Sequence, residues 1–174
     1  MRFLILFFIS MPAFAMSQKD FSMGIAMESR AGREVNPDYV SPQYSGMLFT
    51  KLRLRPWDVL LEASREERDS RSGALHVSSE SSRFAAWGRY ELLPERTWTP
   101  FASAGAGIYF DKVSTTFEQT QVNRNGRRGL LGAGLGISAV FWEHLTLEGE
   151  ARVESVELAH DPVLTGLVRV GCQM

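Results

Sequence analysis

The run from Gly129 to Glu154, GLLGAGLGISAVFWEHLTLEGEARVE, admits few folds. Leu131, Ala133, Leu135, Ile137, Ala139 and Phe141 alternate with Leu130, Gly132, Gly134, Gly136, Ser138 and Val140. After a short break, Leu145, Leu147, Gly149, Ala151 and Val153 alternate with Thr146, Glu148, Glu150, Arg152 and Glu154. A period of two marks β-strands, because successive side chains leave opposite faces of the pleat. The stretch therefore reads as two strands and a tight turn. One face is small and apolar; the other is glycine in the first strand and mostly charge in the second.

The same rhythm recurs along the chain. It predicts strands over 20–30, 44–54, 57–66, 81–92 and 99–110, the two just described, and 163–172. No helical pattern separates them, so an eight-stranded antiparallel up-and-down barrel is the economical arrangement. The connections alternate long and short, with long loops expected at 31–43, 67–79 and 111–127. The last of these is rich in β-formers and could extend its strands as a hairpin turning at Asn125-Gly126, a type I′ signal. In a meander the long connections all emerge at one end, as in outer-membrane barrels.

Alternation alone does not say which face is inside, and a soluble lipocalin-like barrel binding a small apolar ligand is the competing arrangement. Four features favour apolar-out. The strands are long enough to cross a bilayer at a tilt. Trp57, Trp98 and Trp142 gather at the short-turn end with Phe21, Phe101 and Phe141, as an interfacial girdle would. The polar face carries charge of both signs deep within the strands. Gly105, Gly107, Gly132, Gly134 and Gly136 clear space on that face, whereas glycine facing water would only weaken a strand.

A barrel of this size has an interior that side chains fill. Glu28, Arg30, Lys51, Arg53, Glu62, Arg83, Arg89, Glu148, Glu150, Arg152, Glu154 and Arg169 are thus expected to form a paired internal charge network, since an unpaired buried charge is costly. A proton or ion path through the same groups is the alternative.

The N-terminus predicts export. Arg2 precedes the apolar run 3–9, and Pro12 precedes Ala13-Phe14-Ala15, an A-x-A cleavage pattern. Residues 1–15 read as a signal peptide and 16–174 as one barrel domain. The 19 Lys+Arg and 20 Asp+Glu of the chain give none of the basic excess of a nucleic-acid-binding domain. Cys172 is the single cysteine, so no internal disulfide is possible.

The segments PFASAGAGIYFDK (residues 100–112) and 129–154, with the leader and loop rhythm, resemble the small outer-membrane β-barrels of the OmpA and OmpX type. The resemblance implies insertion in a Gram-negative outer membrane, contact with its lipid and lipopolysaccharide, handling by the outer-membrane assembly machinery, and a role in envelope integrity or surface interaction. Members usually end on an aromatic residue; this chain ends Val170-Gly171-Cys172-Gln173-Met174. No cofactor is expected.

Three candidates for chemistry remain. His76-Val77-Ser78 resembles the His-x-Ser pair of outer-membrane lipid A deacylases, which makes a lipid hydrolase the alternative function, although the pair sits early in this chain and late in that family. Glu157, His160 and Asp161 match no standard metal spacing. Lys112, Arg124, Arg127 and Arg128 give the third long loop a basic character suited to lipopolysaccharide phosphates.

Overall fold

The computed structural model describes residues 21–31, 43–54, 56–72, 75–93, 98–117, 120–141, 144–156 and 162–174. Residues 1–15, expected to be a signal peptide, and the Glu157–Asp161 cluster lie outside the described residues. Eight strands, β1 (Phe21–Ala31), β2 (Gln43–Leu54), β3 (Trp57–Ser72), β4 (Leu75–Glu91), β5 (Trp98–Phe117), β6 (Thr120–Phe141), β7 (Leu145–Val156) and β8 (Val163–Gln173), follow one another in a meander. Every neighbouring pair is antiparallel, and β1 pairs with β8 to close the barrel. Closure removes the free sheet edges that an open meander would leave.

The alternation seen in the sequence maps onto two faces. Along β7, Thr146, Glu148, Glu150, Arg152 and Glu154 are buried while Leu147, Gly149, Ala151 and Val153 are exposed. Along β6, Leu131, Leu135 and Ile137 face outward, and Gly132, Gly134 and Gly136 face inward opposite the charged residues of β7. The charged face is the inside of the barrel.

The wall is of unequal height. The β3–β4 ladder runs up to Ser72↔Leu75 and the β5–β6 ladder up to Phe117↔Thr120. The β2–β3 ladder, however, stops at Met47↔Ser64 and the β6–β7 ladder at Leu130↔Val156. β3, β4, β5 and β6 thus rise above the other four strands as a four-stranded tongue.

This tongue corrects two expectations. Residues 67–79 are not a long loop: Glu67 pairs with Glu80 and Arg71 with His76, leaving only 73–74 between the strands. Asn125-Gly126 is not the turn of its hairpin, because Asn125 pairs with Lys112 and Gly126 with Asp111, and the strands are joined at 118–119. Polar side chains on both faces of these segments erased the alternation, while the ladder continued from the barrel below.

Candidate functional site: a charged core inside an apolar wall

The core is built around two arginines shared by two glutamates. Arg152 binds Glu62 through Nη1 at 2.7 Å and Glu150 through Nε at 2.7 Å. Arg169 reaches the same pair, Glu62 through Nη2 at 2.6 Å and Glu150 through Nη1 at 2.6 Å. Each carboxylate therefore accepts from two guanidinium groups, and the Ser103 hydroxyl also donates to Glu150. Charge-assisted bonds of this kind are the strong ones, and their mutual satisfaction offsets the desolvation of each ion.

Two further clusters extend this centre along the barrel axis. Toward the tongue, Arg83 donates to Glu28 at 2.8 Å and to Glu154 at 2.7 Å. Toward the short turns, Glu148 accepts from Lys51 at 2.6 Å, Arg89 at 2.9 Å and Ser138 at 3.3 Å. At the turn mouth itself, Arg53 Nη2 donates to Glu91 at 3.2 Å, and its Nε stands 3.8 Å from Asp58. The structure places these charged side chains on the inner face of the wall; the side chain of Arg30 lies outside the described residues.

Aromatic rings complete the interior. Arg152 lies 3.7 Å from the centre of the Trp87 ring and Arg89 lies 3.6 Å from that of Phe101. A guanidinium stacked on a ring gains a cation–π attraction that strengthens when the pair is desolvated. The inward glycines make this possible. A Cβ at Gly105 would sit 2.6 Å from the Trp87 ring, one at Gly134 would sit 2.7 Å from Arg152, and one at Gly136 would meet Phe101. Phe101 is thus 1% exposed inside the barrel and does not belong to the outer girdle expected of it. Its parity already placed it with Ser103 and Gly105; its aromatic character at the turn end suggested otherwise.

The outer wall is apolar and open. Ile25, Leu48 and Leu135 are 63%, 66% and 66% exposed. At the turn end Trp57 packs on Tyr90 at 4.9 Å and Trp98 meets Phe141 edge-on at 6.1 Å, while Trp142 lies outside the described residues. A second aromatic level, Phe84 against Phe110 at 6.3 Å, stands nearer the tongue. Two aromatic levels bounding an apolar band are the profile of a lipid-embedded barrel wall. Among the described residues no helix is long and apolar enough to cross a membrane, a criterion that does not bear on strands.

The basic residues predicted as a loop are strand residues divided between two faces. Lys112 and Arg127 lie on the outer face just above Phe110, with Arg127 5.3 Å from that ring centre. Arg124 and Arg128 lie on the opposite face, where Arg128 donates to Asp111 at 2.6 Å. His76 and Ser78 also sit on a strand, on the outer face of β4. His76 Nε2 is 3.8 Å from Asp69, beyond hydrogen-bond reach, and no hydrogen bond joins His76 to Ser78. Among the described residues no group of acids, histidines and cysteine is arranged to hold a metal ion.

No family model matches the chain, and no curated protein matches it in sequence. Solved structures do. Neisserial surface protein A superimposes with a TM-score of 0.59 at 13% identity, covering 88% of this chain and 96% of that one. A major outer membrane protein of Thermus thermophilus gives 0.57 at 11% identity, covering 88% and 98%. Ail, the attachment invasion locus protein of Yersinia pestis, gives 0.56 at 14% identity, covering 87% and 94%, in its complex with the heparin analogue sucrose octasulfate. The fold is that of the small outer-membrane barrels. At such identities the likeness concerns the path of the chain, and the charged core described above rests on this chain's own residues.

Proposed function

We propose that this chain is an integral outer-membrane β-barrel protein of a Gram-negative envelope, a closed scaffold that carries a surface-facing tongue. The observation that carries the reading is the apolar, aromatic-bounded exterior around an ion-paired interior. A soluble barrel would bury the first and hydrate the second, and exposed apolar surface on this scale marks a membrane or partner surface. Fractionation of envelopes followed by gel mobility with and without boiling tests it. The expected result is membrane association and a shift on boiling; a soluble product with no shift overturns it.

Within this reading the interior is a plug rather than a conduit, since buried ion pairs and stacked rings occupy it along the axis. The role is structural and interactive rather than hydrolytic, so Ser78→Ala is expected to leave lipid A acylation unchanged. An altered acyl pattern would return the hydrolase reading. Delivery and insertion by the outer-membrane assembly machinery belong to the same proposal.

Lys112 and Arg127 are the residues suited to lipopolysaccharide phosphates, because they stand on the lipid side of the wall above its upper aromatic level. That Ail was solved with a sulfated heparin analogue is compatible with polyanion contact at such a rim. Replacing both by Ala is expected to weaken salt-sensitive binding to lipopolysaccharide vesicles. Replacing Arg124 and Arg128, on the opposite face, is expected to do less.

A further inference from the structure

The tongue is bounded on one side by a strand with a single neighbour. The β6–β7 ladder begins only at Leu130↔Val156, so residues 120–127 of β6 pair with β5 and, among the described residues, with no strand on their other side. In an antiparallel ladder alternate residues turn their N–H and C=O toward the partner, and those between turn them away. About half of the backbone groups along this margin therefore point out of the sheet. Every residue from Thr120 to Gly129 is exposed. A long, exposed margin of this kind is a template for a further strand unless it is guarded.

The two margins of the tongue differ in charge. The margin on β3 mixes Glu66, Glu67 and Asp69 with Arg65, Arg68 and Arg71, and Arg65 already holds Glu67 at 2.7 Å and Glu80 at 3.0 Å. The margin on β6 carries Arg124 and Arg127 and no acid over 120–127. Lys112 stands opposite Asn125 on the adjoining strand. The nearby Asp111 is taken by Arg128 at 2.6 Å and Ser81 at 2.8 Å. Among the described residues Lys112, Arg124 and Arg127 have no carboxylate partner. These three cations lie on both faces of the sheet, Lys112 and Arg127 outside and Arg124 opposite. Val122, 56% exposed, shares the face of Arg124 two residues away.

We infer that the β6 margin of the tongue is a docking edge for an acidic, extended polypeptide segment of another protein, which adds as a further strand beside residues 120–127. The inference deepens the surface-interaction reading above and rests on the tongue standing clear of lipid. Main-chain groups on the open side of β6 supply the ladder bonds, as in other cases of strand addition. The cations supply the selection, because successive side chains of an added strand fall on opposite faces and meet positive charge on each. A second copy pairing through the same margin would set Arg124 and Arg127 against their own equivalents, and like charges across a ladder oppose pairing. A phosphorylated lipid meets Lys112 and Arg127 from the outer face alone, and uses neither Arg124 nor the backbone row.

Amide exchange and peptide titration of the full chain in lipid nanodiscs test the edge. The probe is a blocked peptide of valine and threonine with glutamate or aspartate on both of its faces. Its lysine analogue and its fully N-methylated analogue are the comparisons. On adding the acidic probe, alternate amides over 120–127 that exchange freely in the protein alone are expected to slow, while those of 65–72 stay unchanged. The N-methylated analogue is expected to bind at least about tenfold more weakly, through the loss of main-chain bonds, and the lysine analogue to give no protection. Arg124→Glu is expected to weaken the acidic probe about tenfold and to leave binding to lipopolysaccharide vesicles unchanged. Each protein is also run boiled and unboiled; should Arg124→Glu lack the mobility shift of a folded barrel, Arg124→Gln takes its place. Edge amides that the acidic probe leaves unprotected, equal binding of either analogue, or protection of the edge by self-association overturns the inference. In those cases a preserved mobility shift leaves the membrane reading standing, whereas a wild type without the shift removes both.

Discussion

Glu62 concentrates the energetics of the interior at a single side chain, because Arg152 and Arg169 both donate to it. Neutralising it leaves two buried guanidinium groups short of a counter-charge, and breaking a buried pair in this way costs about 3–5 kcal/mol. Glu62→Gln is therefore expected to lower the stability measured by urea unfolding from lipid vesicles by that amount; an unchanged midpoint would mean the interior is hydrated. Arg65, paired at the exposed rim, should by contrast contribute little to stability. Gly136→Leu should destabilise by overpacking, about 1–3 kcal/mol, since its side chain would enter the space of Phe101. At this scale the sequence showed which residues turn inward, because parity is local. It could not show who meets whom: Arg152 and Glu62 are 90 positions apart, and only barrel closure brings them together. Trp87 was legible as an inward residue but not as the ring beneath Arg152. Asp58, not among the charges expected inside, is 1% exposed at the turn mouth.

At the scale of elements, strand existence and order were legible from alternation, and strand length was not. The apolar-out pattern ends where the wall leaves lipid, so the upper parts of β3, β4, β5 and β6 looked like loops. Their hydrogen-bond ladders continue nonetheless. Amide hydrogen exchange is expected to show protection at Arg65–Asp69, Val77–Glu80 and Asn125-Gly126 comparable with other water-accessible strand pairs. Complete exchange within the dead time would mean that these segments are loops after all. The unequal heights of the ladders reflect this pairing: β3 follows β4 upward, and β2 follows β1.

For the whole molecule, the decisive property is which face meets the surroundings. Glycine and charge on one face and small apolar residues on the other are compatible with either packing by period alone; the paired charges of the inner face and the two outer aromatic levels support the apolar-out orientation. A charge on the outer wall should then be poorly tolerated. Leu135→Arg is expected to impair insertion or lower stability in the bilayer by about 2–4 kcal/mol if it sits near the midplane, as read by the fraction recovered in the heat-shifted form. Glu150→Leu is expected to disturb the core instead, since Arg152 and Arg169 both bind that carboxylate. Normal insertion of the first together with full stability of the second would mean that the barrel is inside out.

The most direct measurement is collision accessibility of spin labels placed at Leu131, Leu135, Leu147 and Val153 in protein reconstituted into bilayers, all four being outward-facing and exposed. With the apolar wall in lipid, the labels should collide freely with oxygen and be shielded from a water-soluble nickel chelate. Labels that are immobile and shielded from both reagents would place the apolar face in a core and contradict the membrane-embedded barrel.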